Sequence, residues 1–204
     1  MLCQKMPIRF FYSLNLRIEN ENLWFVVCCL LFCMMLLTSC RDVEKESKIA
    51  DVESWIGKEI QFPTDGVFTR MGRDTVFCFP KLPYTIVNYI DSAGCVECRL
   101  RALEWKDFMN RLEMKYPGMV SLLFYIQPKN MKELIWILRG DDFSYPVCID
   151  KNGDFNKMNQ LPSDEAFGTF LLNANKEVLL VGSPVGNKSL ERLYMDEFEH
   201  YKKF

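Results

Sequence analysis

The stretch "YTIVNYIDSAGCVECRLRALEW", residues 84–105, decides the fold of this chain. It opens with a β-branched and aromatic run, residues 84–90, which is typical of a strand. A short loop then leads to two cysteines three positions apart, Cys95 and Cys98. From there to Glu113, apolar residues recur at roughly helical spacing. The pattern predicts a strand, a loop and a helix that begins with a CxxC pair.

The rest of the chain continues this alternation. Residues 120–127 form a near-continuous apolar run that suits a strand buried on both faces, and residues 131–138 have the apolar spacing of a helix. Residues 145–150 predict a third strand, followed by a short helix. Two strands, "FGTFLL" and "EVLLVG", surround the turn "NANK", and a last helix is capped by Asn187 or Ser189. This order predicts an α/β fold with a central mixed β-sheet flanked by helices.

Two shorter features lie outside this regular pattern. The stretches "SWIGKEIQFP" (54–63) and "DTVFCFP" (74–80) are apolar and flanked by turn residues, which predicts an N-terminal hairpin or sheet edge. "DKNGD" (150–154) is similar to a calcium loop, but it lacks a glutamate at the required spacing. We interpret it as a turn.

The N-terminal region indicates a membrane-directed segment. Residues 22–40 carry no charge, Lys5, Arg9 and Arg17 precede them, and the charged run "RDVEKESK" follows. The length of the apolar run would also permit a transmembrane helix. Either interpretation places the rest of the chain outside the cytoplasm, where disulfides persist.

The end of the apolar run, "LTSC" (37–40), resembles the lipobox of bacterial lipoproteins. The resemblance implies cleavage before Cys40 and attachment of lipid to its thiol. Residues 1–39 are then a lipoprotein signal peptide, 40–54 a charged, mobile tether, and 55–204 the folded domain. The expected location is the cell envelope, with the domain in the periplasm and a lipid anchor in the membrane.

Composition narrows the function classes. The chain has 25 Lys and Arg against 27 Asp and Glu, so nothing suggests a nucleic-acid partner. A mature chain of about 165 residues is long enough for one domain with a full core. Beyond the signal segment and Cys40, four cysteines remain: Cys78, Cys95, Cys98 and Cys148.

The order of elements and the CxxC after the first regular strand resemble the thioredoxin-like superfamily, and within it the envelope-anchored thiol-disulfide oxidoreductases and peroxiredoxin-like lipoproteins. The resemblance spans about residues 56–203. It rests on "WIGKEIQFP", "YIDSAGCVEC" and "TFLLNANKEVLLVG". It implies a thioredoxin-like fold and a redox role for the CxxC, with no cofactor and no metal.

The start of a helix suits this chemistry, because unpaired backbone N–H groups and the helix dipole stabilise a thiolate there. Cys95 is the expected nucleophile toward disulfides of envelope proteins. Cys98, one turn inside and less exposed, is expected to resolve the mixed disulfide. Glu97 should destabilise the thiolate while Arg99 and Arg101 partly oppose it, which predicts a reducing couple.

The chain departs from the family pattern in two ways. Thioredoxin-like enzymes usually have a cis-proline facing the CxxC, whereas Phe167, Gly168 and Thr169 occupy that position here, and Pro162 lies too far back. Phe167, Gly168 and Thr169 are therefore the candidate substrate-binding residues, with Gly168 expected to contact the CxxC turn. The family also often has an aromatic residue where this chain has Gly94.

Alternatives remain open at this point. The CxxC is a local structural disulfide if the chain is a binding or scaffold lipoprotein. A peroxidase would need an activating Thr beside its cysteine, and the sequence offers no clear one. Cys78 and Cys148 are core residues, a disulfide pair, or ligands that complete a zinc site with the CxxC.

Overall fold

The computed structural model of the protein describes residues 20–93, 95–161 and 164–202. The chain divides into two compact units, Met1–Ile49 and Ala50–Phe204. The described part of the first unit belongs to helix α1 (Asn20–Trp55), which exposes its side chains at residues 24–32. Within the described ranges, no helix has both the length and the apolar character that crossing a membrane requires.

Residues 41–50, which lie within the predicted mobile tether 40–54, are part of helix α1. Their sequence, "RDVEKESKIA", is rich in Arg, Glu, Lys and Ala, all of which have high helix propensity. The high charge of this segment indicates that it is solvated, but a solvated segment of this composition still forms a helix. The division into signal peptide, tether and domain stays a prediction.

The second unit is built on one mixed sheet. The strands found in the described residues are β1 (Val67–Arg70), β2 (Arg73–Asp74), β3 (Tyr84–Ile90), β4 (Val120–Ile126), β5 (Val147–Ile149), β6 (Thr169–Leu172) and β7 (Val178–Val181). Their order is β2-β1-β5-β4-β3-β6-β7. Strands β3, β4 and β5 are parallel, whereas the other pairings are antiparallel. The predicted central mixed sheet is confirmed.

Helices connect and cover the strands. They are α2 (Val96–Leu100), α3 (Ala102–Lys115), α4 (Met131–Gly140), α5 (Asp154–Asn159) and α6 (Lys188–Lys202), together with a 3₁₀ helix at Glu165–Phe167. The side chain of Asn187 accepts hydrogen bonds from the N–H groups of Ser189 and Leu190. Asn187, rather than Ser189, therefore caps α6.

Two apolar clusters lie on opposite faces of the sheet. Strand β3 contributes to both because its successive side chains alternate between faces. Ile86 and Ile90 join the cluster beneath α2, α3, α4 and α6, and Val87 and Tyr89 join the cluster that contains Phe155 of α5. Every residue of β3 is buried. The loop that leads from β3 to the cysteines therefore begins at the end of a fully buried strand.

The N-terminal hairpin differs from the prediction. Strands β1 and β2 form it from "VFTRMGRD" (67–74), with Met71 and Gly72 at positive φ in the turn. The stretch 54–63 lies along the sheet edge at β7, through a bridge from Glu59 to Glu177 and backbone hydrogen bonds of Gly57, Lys58 and Ile60, which agrees with the predicted edge. The positive-φ turn at Met71 was missed because methionine rarely adopts that conformation.

The interpretation of "DKNGD" as a turn is confirmed. The carboxylate of Asp150 accepts hydrogen bonds from the N–H groups of Asp154 and Phe155, at 2.8 and 3.0 Å. Gly153, at φ 70°, makes the turn that brings these two N–H groups to it. This aspartate therefore fixes the start of α5 directly after β5.

Candidate functional site

Cys95 and Cys98 form a disulfide directly after the loop that follows β3, with their Cα atoms 5.4 Å apart. Cys95 is the N-cap of α2, and its Sγ accepts a hydrogen bond from the N–H of Cys98 at 3.2 Å. Both cysteines are exposed. Neither cysteine is therefore buried, and a lower exposure of Cys98 than of Cys95 stays a prediction.

The predicted single helix from Cys95 to Glu113 is wrong. Arg101 lies in the left-handed region, at φ 46° and ψ 48°, and divides it into α2 and α3. The guanidinium of Arg101 donates to the Val185 carbonyl at 3.0 Å and contacts Glu104 at 3.3 Å. These contacts offset part of the backbone strain, which costs about 1–3 kcal/mol.

This break changes the electrostatics expected at the cysteines. Helix α2 has only five residues, so the aligned peptide dipoles behind Cys95 are few. The N–H of Cys98 is the direct donor to the Cys95 sulfur. In the reduced protein, we expect a Cys95 thiolate to depend mainly on this donor and on nearby side chains.

Arg99, the residue after Cys98, connects three parts of the site. It donates to the carboxylate of Asp91 and to the carbonyl of Ala93, the latter at 2.9 Å. It also lies 3.4 Å from the carboxylate of Glu165. The Arg99 side chain is only 15% exposed. It therefore links the loop before the cysteines to the 3₁₀ helix.

These ion pairs revise the expected charge balance. Arg99 faces Asp91 and Glu165, and Arg101 contacts Glu104. Both arginines were expected to oppose Glu97, yet each already has a carboxylate partner. The surroundings of the disulfide are therefore more acidic than the sequence alone indicated.

The candidate substrate-binding residues are not in an extended loop. Phe167 ends the 3₁₀ helix, and its N–H donates to the carbonyl of Asp164 at 3.0 Å. The N–H of Gly168 donates to the carbonyl of Glu165 at 3.1 Å, and its carbonyl accepts from the N–H of Tyr89 at 2.7 Å. Thr169 begins β6. The backbone groups of Phe167 and Gly168 named here are thus bonded within the fold.

Position 168 requires glycine because the main chain of Tyr89 lies close to it. A Cβ at this position would lie 2.9 Å from the carbonyl oxygen of Tyr89 and 3.4 Å from that of Glu165. The atoms nearest to such a Cβ thus belong to Tyr89 and Glu165, not to the CxxC turn. The expected contact with that turn is therefore not what selects glycine. Gly94 and Pro162 lie outside the described residues.

The remaining thiols lie in different environments. Cys78 is exposed and Cys148 is buried, and both are free. Burial raises the pKa of Cys148 to about 12, with a further contribution from the charge of Asp150. The structure therefore does not support the proposed disulfide between them. Among residues 20–93, 95–161 and 164–202, no cluster of His, Cys, Asp or Glu is suited to a metal ion. The side chain of Cys40 is outside the description.

Sequence reasoning missed two residues of the site. The sequence indicated the charge of Arg99 but not its contacts, because its partners Asp91 and Glu165 are distant in sequence from one another. Asn88 was overlooked because it stands inside an apolar strand. Its amide nitrogen donates to the Thr169 hydroxyl at 2.7 Å, a contact made by antiparallel pairing of β3 with β6. A polar residue in the middle of a buried run was the available signal.

Comparison with known proteins gives no matching family model and no matching curated protein. Among solved structures, a cysteine-to-serine mutant of PrxQ from Xylella fastidiosa matches with a TM-score of 0.51 at 11% identity, over 71% of this chain and 96% of that one. AhpC from Enterococcus faecalis matches with a TM-score of 0.48 at 13% identity, over 72% and 93% of the two chains. StoA from Bacillus subtilis matches with a TM-score of 0.41 at 17% identity, over 59% of this chain and 91% of that one. The match to PrxQ shows the fold, and the predicted thioredoxin-like α/β class is confirmed.

Proposed function

We propose that this protein is a thiol-disulfide oxidoreductase whose Cys95–Cys98 pair exchanges with disulfides of partner proteins. The observation that carries the proposal is an exposed disulfide at the start of α2, directly beyond a buried central strand of a thioredoxin-like sheet. A disulfide that only stabilised the fold would gain little here, because it closes a very short loop. Exposure is what exchange with another protein requires.

The reaction follows from the two sulfurs. In the reduced protein, the Cys95 thiolate attacks one sulfur of a partner disulfide, which forms a mixed disulfide and releases a partner thiolate that takes up a proton. The Cys98 thiolate then attacks the Cys95 sulfur. This step forms the Cys95–Cys98 disulfide and releases the second partner thiol. Two electrons pass to the partner, and an external dithiol must reduce the pair for another cycle.

The proposal includes a location. The motif "LTSC" at residues 37–40 supports lipid attachment at Cys40, with residues 1–39 removed and the domain held in the envelope. Partners are then envelope proteins that carry disulfides. Labelling cells with a palmitate analogue tests this part: the wild-type chain takes up label and Cys40→Ala does not. Equal labelling of both would remove the anchor from the proposal.

One observation favours a second candidate, a binding or scaffold protein with a structural disulfide. The N–H groups of Phe167 and Gly168 and the carbonyl of Gly168 are bonded within the fold, so they offer little to an extended partner strand. Under this alternative, the exposed disulfide does not exchange with other proteins.

Trapping of partners separates the two candidates. Cys98→Ser leaves Cys95 as a lone nucleophile, so an oxidoreductase should accumulate mixed disulfides that are recovered from cells under non-reducing conditions. Cys95→Ser and the double variant are the matched controls, and we expect neither to retain partners through this site. If Cys98→Ser carries a free Cys95 and no disulfide-linked protein, the oxidoreductase proposal fails and the scaffold candidate replaces it.

A further inference from the structure

A cavity of about 520 Å³ lies at the end of the sheet opposite the cysteines. Its buried side is formed by Thr85 and Leu172, which are paired across β3 and β6. The loop 79–83, the turn after β6 and Tyr201 of α6 also line it. Strand β3 leads from Thr85 to the cysteine-bearing loop over five further residues, about 17 Å. The cavity is therefore separate from the disulfide, and it has the volume of a small-molecule site.

The apolar walls of this cavity are held by contacts outside it. The ring of Phe79 packs against that of Phe62, with the ring centroids 4.5 Å apart. The ring of Tyr201 lies 5.6 Å from that of Tyr84, yet Tyr201 is 51% exposed. Two prolines also restrict the backbone of the loop 79–83. The cavity therefore offers fixed aromatic surface to an apolar group.

Two lysines supply the charge of the cavity. Lys81 and Lys176 both line it, and its lining includes no Asp, Glu or Arg. Among the residues that the structure describes, neither ammonium group forms an ion pair with a carboxylate. Glu177 is next to Lys176 in sequence, but its carboxylate accepts a hydrogen bond from the Asn173 amide at 2.7 Å and does not line the cavity. The charge of the lining therefore complements an anion.

Lys176 is more restrained than an ordinary surface lysine. Its N–H donates to the Asn173 carbonyl at 3.0 Å, and its carbonyl accepts from the N–H of Ile60 at 2.9 Å. Its Nζ lies 5.7 Å from the ring centroid of Phe62 and 5.9 Å from that of Phe79, which are cation–π distances. An ammonium group held in this way loses less conformational entropy when it pairs with a ligand.

We propose that this cavity binds a small organic carboxylate that carries an aromatic or branched apolar group. The carboxylate pairs with the ammonium groups of Lys81 and Lys176, and the apolar group packs against Phe79 and Tyr201. The lining has no arginine and no helix N-terminus, the groups that commonly hold phosphate, so a carboxylate fits it better than a phosphate. This binding does not depend on the redox activity proposed for the cysteines.

Two matched probes test the proposal on the full chain. N-acetylphenylalanine carries a carboxylate and an aromatic ring, and N-acetylphenylalaninamide has the same shape without the charge. Titration followed by NMR gives the Kd of each. We expect the Kd of the acid to be about three- to tenfold lower than that of the amide, which is within the range of two exposed ion pairs. Equal values for the two probes overturn the inference.

Substitution of the lysines tests their role. Lys81→Gln and Lys176→Gln should each lower the preference for the acid over the amide, and the double variant should bring it to about one. Lys132→Gln, an exposed change on the first turn of α4, is the control and should leave the preference unchanged. A preference that survives in the double variant overturns the inference. The wild-type comparison needs no substitution, so it is decisive even if the double variant does not fold.

The same titration locates the site and defines the ligand class. The backbone amide resonances of Leu82 and Ala174, which line the cavity, should shift with N-acetylphenylalanine, whereas that of Val96 beside the disulfide should not. Shifts confined to the disulfide region reject the cavity. Acetate lacks the apolar group, so its Kd should be at least about tenfold higher. Acetate binding as tightly as N-acetylphenylalanine, or phenyl phosphate binding more tightly, rejects the ligand class.

Discussion

Arg99 and Glu165, 66 positions apart in sequence, meet at 3.4 Å beside the Cys95–Cys98 disulfide. The same guanidinium also holds Asp91 in the loop before Cys95. One side chain thus sets the spacing between the cysteine-bearing loop and the 3₁₀ helix. Neither the CxxC pattern nor the order of strands and helices indicates this connection.

Replacing Arg99 should loosen the site. Arg99→Ala removes hydrogen bonds to Asp91 and Ala93 together with the contact to Glu165. Because the carboxylates are partly exposed, we expect a loss of only about 1–2 kcal/mol in the free energy of unfolding. Urea unfolding measures it. Arg192→Ala, at an exposed position of α6, is the control and should change stability by less than about 0.5 kcal/mol. Equal losses in the two variants would contradict the structural role of Arg99.

Gly168 should not tolerate a side chain. The added Cβ of Gly168→Ala would lie 2.9 Å from the Tyr89 carbonyl oxygen, so the junction of β3 and β6 must shift. We expect a loss of about 1–3 kcal/mol. Gly140→Ala is the matched control, because no atom lies within 4 Å of a Cβ there. That variant should be neutral or slightly stabilised. Thermal unfolding measures the stability of both variants. Equal stability of Gly168→Ala and Gly140→Ala would contradict the close approach of the Tyr89 carbonyl to position 168.

Charge near the disulfide should make the couple reducing. Asp91 and Glu165 both contact the Arg99 guanidinium, and Glu97 lies between the two cysteines in sequence. Acidic neighbours destabilise the thiolate of the reduced form. The reduction potential should therefore lie well below about −120 mV, the strongly oxidising end of the range for such proteins. Glu97→Gln should raise it by up to about 20 mV at about pH 8, since an exposed charge contributes at most about 1 kcal/mol.

Equilibration with redox buffers measures this potential. Glu133→Gln, a similar change on the first turn of α4, is the control and should leave the value unchanged. A potential near −120 mV, or a fall after Glu97→Gln, would reject this account of the charges.

The buried thiol predicts a loss of stability in alkali. The pKa of Cys148 is raised from 9.0 to about 12 in the folded protein, so above pH 9 the unfolded chain releases this proton first. The fold then loses stability as pH rises, by about 1 kcal/mol between pH 9 and 10. Tyr89, raised from 10.0 to about 12, adds to the loss only at higher pH.

Urea unfolding at several pH values compares the wild type with Cys148→Ala. The variant should be less stable near neutrality, because it leaves a cavity, but its stability should decline less between pH 9 and 10. Parallel declines in the two proteins would contradict the assigned pKa. Mass mapping after treatment with iodoacetamide should also find Cys78 modified and Cys148 intact in the folded chain, because Cys78 is exposed.

Most of the framework could be predicted because local pattern and tertiary environment agree. Strand β3 occupies the predicted residues 84–90, since its β-branched and aromatic side chains fill both faces of a covered sheet. The break at Arg101 could not be predicted in this way. The Arg101 side chain hydrogen-bonds the carbonyl of Val185, which lies 84 positions away, and no local propensity encodes that contact.

The candidate site was predictable only in its cysteines. The spacing of Cys95 and Cys98 located the disulfide, but the conformation of Gly168 depends on its pairing with Tyr89 across the sheet. The predicted strand "FGTFLL" included Phe167 and Gly168, whereas Asp164 caps a 3₁₀ turn there with its side chain and the strand begins at Thr169. Residues that act through distant partners, such as Asn88 and Arg99, are visible only after the strands are assembled.

Arg101, the left-handed residue between α2 and α3, separates a short helix from a longer one that differ in how far they can keep their structure alone. Helix α2 has five residues and is closed by the disulfide at its start, whereas α3 has fourteen and packs its own apolar side chains against the sheet. Reduction therefore removes a covalent restraint from a segment too short to persist by itself. Amide hydrogen exchange at residues 96–100 should therefore be faster in the reduced protein than in the oxidised one, whereas exchange along α3 should be the same in both. The redox state would then change local opening of α2 within an otherwise unchanged domain.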